Sequence, residues 1–336
     1  MNSFGTLFRV SIFGESHGQL VGVLVDGVPA GIPFSEKDMM DDLARRKSGA
    51  AGTTPRKEDD NPQIKSGVFE GYTTGAPLLI QFENKNTRSR DYAALRQTPR
   101  PGHADFTAFR KFGGYEDYRG GGHFSGRLTA GIVAAGVLAK KMIDPVQIRA
   151  RILEVGGDTD IEAAINKAIE AQDSIGGIIE CVISELPAGL GEPFFDSVEA
   201  VLSHMVFSIP AIKGIEFGAG FQAARMHGSE HNDSFTDTKG STETNHAGGI
   251  NGGITNGNNV VFRVAVKPTS STHQPQETLN FLTNRMQELT IEGRHDTCIA
   301  LRVPPVLEAA SAIVMADLML QAQGIQRVTN PKETIG

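Results

Sequence analysis

The sequence predicts a mixed α/β (α+β) protein folded as one large domain over residues 1–336. Short apolar runs rich in β-branched residues alternate along the chain with segments of helical periodicity. The alternation is clearest as a β-α-β-α-β series between residues 146 and 221. The chain has 336 residues, 39% of them hydrophobic, so it can bury a substantial core as one domain or as two intertwined halves. No long linker interrupts it, which favours one domain.

The first third of the chain is predicted to be rich in strands. The predicted strands here are residues 4–16, 19–32 and 76–84. Ser35 with Asp38 is typical of an N-cap and opens a predicted helix that ends near Arg46. Residues 48–62 have no hydrophobic period and are predicted to form a mobile loop.

The middle of the chain begins with a predicted helix over residues 125–142. It is rich in Ala and Gly and apolar nearly all round, so we expect it to be buried. The series that follows has predicted strands at 146–157, 176–187 and 213–221 and predicted helices at 160–172 and 194–209.

The last third is predicted to contain a strand at 258–268 and helices at 275–289 and 304–322. The longest apolar run, 131–139, is much shorter than the roughly 20 residues that a membrane helix needs. The amino terminus lacks the pattern of a secretory signal. These features predict a cytoplasmic protein without a membrane partner.

The net charge and the two cysteines argue against further classes of partner and binding site. The net charge of −7 argues against a nucleic-acid partner. Cys181 and Cys298 lie in apolar contexts without metal-binding spacing, so we expect two reduced, buried thiols and no metal site.

Five segments combine glycine with histidine, arginine, serine or aspartate. They are GESHG (14–18), RPGHAD (100–105), YRGGGHFSGR (118–127), NHAGGINGGITNG (245–257) and GRHD (293–296). Glycine lets the backbone approach a ligand, and the polar neighbours supply binding groups. Many cationic residues lie in or beside these segments, namely Arg45, Arg46, Lys47, Arg56, Lys57, Arg100, Arg119, Arg127, Lys267 and Arg294. The set predicts a small anionic substrate.

Two histidines are candidate acid–base groups. His17 lies in the GESHG turn, where it could equally be part of a hydrogen-bonded turn. His103 follows a Pro-Gly turn, with Arg100 before it and Asp105 after it. The glycine loop that enters a helix at Ser125 suits a phosphate but does not match a nucleoside-triphosphate motif. GRHD precedes an expected apolar strand and is also compatible with a surface turn.

In their order along the chain, these segments resemble the chorismate synthase family. The resemblance runs from FGTLFRVSIFGESHG through DDLARRKSG, RPGHAD, YRGGG, GGINGGITNG and KPTSS to GRHD, nearly the whole chain. It implies homotetramers of β-α-β sandwich subunits. It also implies loss of phosphate and of a C6 proton from 5-enolpyruvylshikimate 3-phosphate to give chorismate, with reduced FMN and no net redox change.

The resemblance also assigns roles to residues. It implies that His17 protonates reduced flavin, that His103 lies near the departing phosphate, and that Asp296 assists at flavin N5. It implies substrate or NADP contacts for Arg45, Arg46, Arg119 and Arg127. The implied flavin contacts are His123, Phe124, Ser125, Pro210, Ala211, Gly252, Lys267, Pro268, Thr269, Ser270, Ser271 and Arg294.

The chain departs from the common family pattern beside the flavin. Where many members read GGGRSSARET, it reads GGGHFSGRLT, so His123 and Phe124 replace an arginine and a serine and Leu128 replaces a glutamate. The loop at 50–55 is one residue shorter than in other members of the family, and it has no arginine. With no dinucleotide fingerprint in the chain, an external flavin reductant is expected, and NADPH is a possible source of electrons.

Two other classes remain as alternatives. A metal-dependent phosphatase would use the histidines and aspartates, but no pair has the H-x-x-x-H or H-E-x-x-H spacing. A non-catalytic flavin carrier would need the flavin contacts but not His17, His103 and the arginines.

Overall fold

The computed structural model describes residues 1–54, 59–85, 94–291 and 295–324. The strands are β1 (Ser3–Phe4), β2 (Arg9–Gly14), β3 (Leu20–Asp26), β4 (Gln63–Ser66), β5 (Val68–Phe69), β6 (Tyr72–Thr73), β7 (Leu78–Glu83), β8 (Gln147–Val155), β9 (Gly177–Ser184), β10 (Ile212–Phe217), β11 (Ile250–Asn251), β12 (Ile254–Thr255), β13 (Val260–Val266), β14 (Gln276–Asn280) and β15 (Arg285–Leu289). The helices are α1 (Met40–Arg46), α2 (Asp105–Phe112), α3 (Thr129–Met142), α4 (Ile161–Glu170), α5 (Val198–Val206), α6 (Gly228–His231) and α7 (Val303–Gly324).

Two antiparallel sheets enclose a layer of helices. One sheet has the order β1-β2-β3-β7-β4 and the other the order β10-β13-β9-β8. Helix α3 packs on β3 and β7, helix α7 packs on β8 and β9, and the two helices pack against each other between the sheets. The predicted α/β class and the β-α-β sandwich are therefore confirmed.

Strand alternation explains why each sheet faces the helices with one side. In β3, Val21, Val23 and Val25 are fully buried while Leu24 is exposed. Central strand β13 alternates in the same way, with Val260, Phe262, Val264 and Val266 buried. Because side chains on a strand point to opposite faces in turn, such a strand buries one face and leaves the other partly open to water.

The helical layer is unusually close-packed at one glycine. A Cβ atom at Gly136 of α3 would lie 2.3 Å from Cβ of Ala309 in α7, so the two helices meet at a distance that only glycine permits. The stretch Ile299–Gly324 is long and apolar enough to cross a membrane, but 83% of its most apolar window is buried within the protein. It is therefore the core helix of this fold.

Two local expectations differ from the structure, and one observed helix was not expected. The helix predicted at 275–289 is wrong: β14 and β15 form an antiparallel hairpin, with Gln276 opposite Leu289. The Asn280 side chain accepts hydrogen bonds from two backbone N–H groups of the turn, and Asn284 has φ +54°. These two asparagines stabilise a turn, so the segment forms a hairpin although its apolar residues have helical spacing. The strand expected after GRHD is a 3₁₀ helix, Ile299–Arg302, that runs into α7. Helix α2 was not predicted.

The buried carboxylate of Asp317 ties the amino-terminal turn to α7. Its oxygens accept hydrogen bonds from the backbone N–H groups of Thr6, Leu7 and Phe8 at 2.9, 2.6 and 2.8 Å. We expect Asp317→Ala to lower the free energy of unfolding by about 3 kcal/mol, because three donors lose their partner. Urea denaturation measures this. Asp26→Ala, which removes an exposed carboxylate bonded to one N–H group, should cost less than about 1 kcal/mol, and equal losses would contradict the assignment.

Candidate active site

A large cavity among the described residues has a volume of about 550 Å³. It is lined by Arg46, Lys47, Ser48, Thr54, Asp59, Asp60, Asn61, Ser125, Gly126, Arg127, Thr269, His295, Asp296, Ile299 and Arg302. The fold thus brings four of the segments singled out in the sequence to one place: the end of α1, the glycine loop before α3, the chain after β13, and the segment before α7. The volume lies within the range of about 300–1,000 Å³ that is typical of ligand sites.

A buried ion-pair triad forms one wall of this cavity. The Asp60 carboxylate, 1% exposed, pairs with the guanidinium groups of Arg46 and Arg127, which are 3% and 4% exposed. Burial acts to raise the pKa of the Asp60 carboxyl, but the two arginines outweigh it, and the net shift is downward. Two arginines share one carboxylate, so the triad presents a net positive charge to a ligand.

The Arg46 guanidinium has a strongly perturbed environment. Burial, together with the nearby charges of Arg302 and Arg127, lowers its pKa to about 10 against the opposing effect of Asp60. It therefore stays protonated at neutral pH. Because an anion placed beside it would relieve the repulsion among the three arginines, the site favours a negatively charged ligand.

Asp296 also lines the cavity, and its carboxylate is held in a fixed orientation. Its Oδ1 accepts a hydrogen bond from the Thr54 N–H group at 2.8 Å, and its Oδ2 lies 3.2 Å from Nη1 of Arg302. Arg302 in turn donates from Nε to the Arg46 carbonyl oxygen at 3.0 Å. The carboxylate is thus connected to the wall that holds the triad.

The GESHG turn packs against the glycine loop of residues 119–124. Ser16 donates its N–H to the Gly122 carbonyl at 3.0 Å. Gly120 has φ +61°, and a Cβ atom there would lie 2.7 Å from Nε2 of His17, so glycine is needed for this approach. His17 is buried, with 7% of its surface exposed. It packs against Gly120 of this loop, and the residues that follow the loop, Ser125 to Arg127, line the large cavity.

Asn84 connects this turn to the triad, and sequence reasoning missed it. Its side-chain amide donates to the carbonyls of Glu15 and Gly18 at 2.9 and 3.0 Å, while its Oδ1 accepts from Nε of Arg127 at 3.1 Å. Asn84 follows a strand without a glycine beside it, so no motif identified it. Asp60 was not identified either, because it lies within residues 48–62, which have no hydrophobic period and are predicted to form a loop.

His103 forms a second pair, which is half-buried. Its Nδ1 lies 2.6 Å from Oδ1 of Asp105, and Arg100 binds both oxygens of the same carboxylate. Nη2 of Arg100 also lies 3.0 Å from Nδ1. Because a carboxylate oxygen can only accept, the 2.6 Å contact with Asp105 assigns the ring proton to Nδ1. Burial, with the charges of Arg100 and Lys267, lowers the pKa of His103 against the opposing effect of Asp105. His103 is therefore neutral at neutral pH.

The KPTSS segment joins the His103 turn. Lys267 donates from Nζ to the Gly102 carbonyl at 2.7 Å and to the Ser270 hydroxyl at 2.6 Å, and Arg100 donates to the Ser271 hydroxyl at 3.1 Å. Burial and the charge of Lys213 lower the pKa of Lys267. Cations and hydroxyl groups of the kind that bind an anionic ligand thus converge beside His103.

Several of the expected site residues lie away from the large cavity. Arg45 extends to the other side of α1, where its two terminal nitrogens bind both oxygens of Glu308 at 2.7 Å. Arg119 pairs with Asp117 at 2.7 Å. Gly252 occupies the turn between β11 and β12, and Pro268 follows β13 beside Gly176. Arg294, like Arg56 and Lys57, lies outside the described residues.

His123, Phe124 and Pro210 line two smaller cavities. His123 bonds through Nδ1 to the Gly14 carbonyl at 2.8 Å and lines a cavity of about 240 Å³ together with Pro210. Phe124 lines a third cavity, which it shares with His103. Ala211 accepts a backbone hydrogen bond from Lys267 at 2.9 Å. Within the described ranges, no group of three or more potential ligands is placed to hold a metal ion.

Comparison with known proteins identifies the family. The family model described as chorismate synthase matches residues 8–320. A chorismate synthase of Chitinophaga pinensis is 64% identical over 329 residues, covering 98% of this chain and 99% of that protein. One of Dehalococcoides mccartyi is 47% identical over 359 residues, covering 97% and 99%. A crystal structure of chorismate synthase superimposes with a TM-score of 0.73 at 25% identity, covering 96% of this chain and 94% of that one. The chain belongs to the chorismate synthase family.

Proposed function

We propose that the chain converts 5-enolpyruvylshikimate 3-phosphate into chorismate and phosphate by 1,4-anti elimination with reduced FMN, as a carbon–oxygen lyase acting on phosphates. The observation that carries the proposal is the cavity of about 550 Å³ with its arginine triad, found in a member of this family. Its described lining has four cations, Arg46, Lys47, Arg127 and Arg302, against three carboxylates, Asp59, Asp60 and Asp296. The excess positive charge matches a substrate with carboxylate and phosphate groups.

The residues present fit a reduced flavin together with an anionic substrate. The Thr269 hydroxyl and Nε of Arg46 are buried at the cavity and have no hydrogen-bond partner within the described part of the chain. Ligand groups would satisfy both. We propose that Ser125, Thr269 and the Lys267–Ser271 segment hold FMN with Arg294, and that Arg46 and Arg127 hold the substrate. When bound, reduced FMN lends electron density to the substrate as its C–O bond breaks.

The chain's own residues supply proton control and charge stabilisation. His103 has Nδ1–H directed at Asp105, and we propose that its Nε2 carries a proton toward a phosphate. A phosphate dianion bound beside it would raise its pKa again and favour that proton. The triad arginines stabilise the charge that grows on the departing phosphate. We assign proton control at the flavin to His17 and to Asp296, which assists at flavin N5.

Assembly, location and the source of electrons are further parts of the proposal. We propose a cytoplasmic homotetramer; exposed aromatic side chains such as Phe194, Phe195 and Phe221, which are 86%, 91% and 79% exposed, support an assembled state. We propose that an external reductant supplies reduced FMN, with NADPH as a possible source of its electrons. His123, Phe124, Pro210, Ala211 and Gly252 remain proposed flavin contacts.

Phosphate release tests the proposed reaction against its two alternatives. With 5-enolpyruvylshikimate 3-phosphate present, release should require reduced FMN and should be unchanged by a metal chelator. If phosphate is released without flavin, and a metal chelator abolishes this release, the protein is a metal-dependent phosphatase. Tight FMN binding without any release would indicate a flavin carrier.

Adjacent arginines provide a matched test of the substrate site. We expect Arg46→Ala to raise the substrate KM at least about tenfold, because a buried charge facing the cavity is lost. Arg45→Ala should leave KM unchanged and lower stability, since Arg45 pairs with Glu308. Steady-state kinetics of both variants checks this, and equal KM changes would overturn the assignment of Arg46.

A further inference from the structure

A smaller cavity of about 160 Å³ borders the glycine loop at Gly121 and Phe124, whereas the large cavity borders the residues that follow, Ser125 to Arg127. Helix α2, the loop of residues 116–124 and the tip of the β14–β15 hairpin form its walls. It shares no lining residue with the large cavity in the described part of the chain. It is therefore a separate space, although His103 and Asp105 form part of its wall.

Aromatic rings dominate the walls of this cavity. Phe106, Phe109, Tyr118, Phe124 and Phe281 all line it. Phe106 of α2 stacks on Phe281 of the hairpin tip, with ring centroids 5.4 Å apart and an angle of 22° between the planes. The four phenylalanines are each between 40% and 53% exposed, so their burial is incomplete. A planar apolar group inserted among them would bury more ring surface.

One buried carboxylate oxygen in this cavity lacks a partner. Oε2 of Glu116 is shielded from solvent and makes no hydrogen bond within the described residues. Arg96 lines the same cavity, but its guanidinium bonds to the Gly114 carbonyl at 2.7 Å and lies 5.4 Å from the centre of the Tyr118 ring. Because an unpaired buried acceptor is costly, a donor carried by a ligand would be favoured here.

Size and charge decide which ligand fits. A cavity of about 150 Å³ lined by apolar side chains is known to hold one benzene ring, so about 160 Å³ suits a single ring and not a tricyclic flavin. The Glu116 carboxylate disfavours the anionic flavin and the anionic substrate. We propose that this cavity binds a single-ring aromatic ligand with a protonated amine, its ring among the phenylalanines and its ammonium group on Glu116. This inference does not depend on the proposed reaction.

Calorimetric titration with phenethylamine, without flavin or substrate, tests the proposal. We expect one molecule to bind per chain, and Glu116→Gln to weaken binding at least tenfold. Phe281→Ala, which removes an exposed ring at the hairpin tip, should weaken it about threefold or more. Phenylpropionate, with the same ring and the opposite charge, should not bind. Glu162→Gln on the exposed face of α4 is the matched control and should bind as the wild type does.

Four results would contradict the proposed binding of an aromatic amine. Absence of phenethylamine binding at millimolar concentration to folded protein would overturn the proposal, as would equal binding of phenylpropionate or an unchanged affinity in Glu116→Gln. Displacement of phenethylamine by FMN in direct competition would also overturn it, because the cavity would then belong to the flavin site. Circular dichroism of each variant shows whether the fold is retained. None of these results depends on turnover, so they leave the proposed reaction to its own tests.

Discussion

Replacing His103 with alanine is expected to lower turnover by roughly 100- to 10,000-fold, the range typical of losing one general acid. The physical reason is its position: His103 is held by Asp105 on one ring nitrogen and lies among Arg100, Lys267 and Ser271. Steady-state kinetics with substrate and reduced FMN measures the effect. The exposed histidine variant His227→Ala should have the wild-type rate, and a wild-type rate in His103→Ala would show that His103 is structural.

Asp105→Asn should shift the pH profile in a direction that the structure specifies. Burial, with Arg100 and Lys267, places the His103 pKa below its usual value, and Asp105 is the group that raises it. Removing the carboxylate charge therefore lowers this pKa further. In the profile of kcat/KM, which reports groups of the free enzyme, the limb due to His103 protonation should lie below about pH 6.5 in the wild type and move to more acid pH in Asp105→Asn. An unmoved limb, or one moved to higher pH, would contradict this pairing.

Asp60→Asn is expected to lower the free energy of unfolding by about 3–5 kcal/mol, because it leaves two buried arginines without their shared counter-charge. Inorganic phosphate should restore part of this loss, since an anion in the cavity takes over the role of the carboxylate. Urea denaturation with and without phosphate measures both effects. Asp59→Asn, one residue away at an exposed position, is the matched control and should change stability by less than about 0.5 kcal/mol.

The same variant gives a pH dependence with a definite sign. The pKa of Asp60 is lowered in the folded protein, so its contribution is fully present above the unfolded value of about 3.9 and is lost as pH falls through the folded value. The wild type should therefore lose stability in that acid range, and Asp60→Asn should lose less. Parallel acid unfolding curves would show that Asp60 has no special role.

Strong hydrophobic patterns made most of the fold predictable. Helix α3 was identified because it is apolar on all sides, which is typical of a helix between two sheets. The hairpin at 276–289 was misassigned because its apolar spacing also fits a helix, and the two asparagines that form its turn lie within that pattern. The prediction of a single domain remains a prediction, supported by a hydrophobic core that includes residues of both sheets and the helices between them.

The glycine-rich segments of the sequence identified much of the candidate site, but they did not show which of its residues contact each other. Consecutive residues of a helix point about 100° apart, so Arg45 and Arg46 could not both be expected to face the cavity, and the sequence does not say which one does. The structure assigns Arg46 to the cavity and Arg45 to Glu308. Asp60 and Asn84 act through contacts with residues distant in sequence, and a single sequence contains no signal for such contacts.

The measurement that tests the central claim most directly is anaerobic turnover of 5-enolpyruvylshikimate 3-phosphate with photoreduced FMN, quantifying chorismate and phosphate in the same samples. We expect the two products in equal amounts, many per chain. An aerobic reaction with FMN and NADPH alone should give neither, because we propose an external source of reduced flavin. Phosphate without chorismate, or no product with reduced FMN and correctly folded protein, would contradict the proposed elimination at this site.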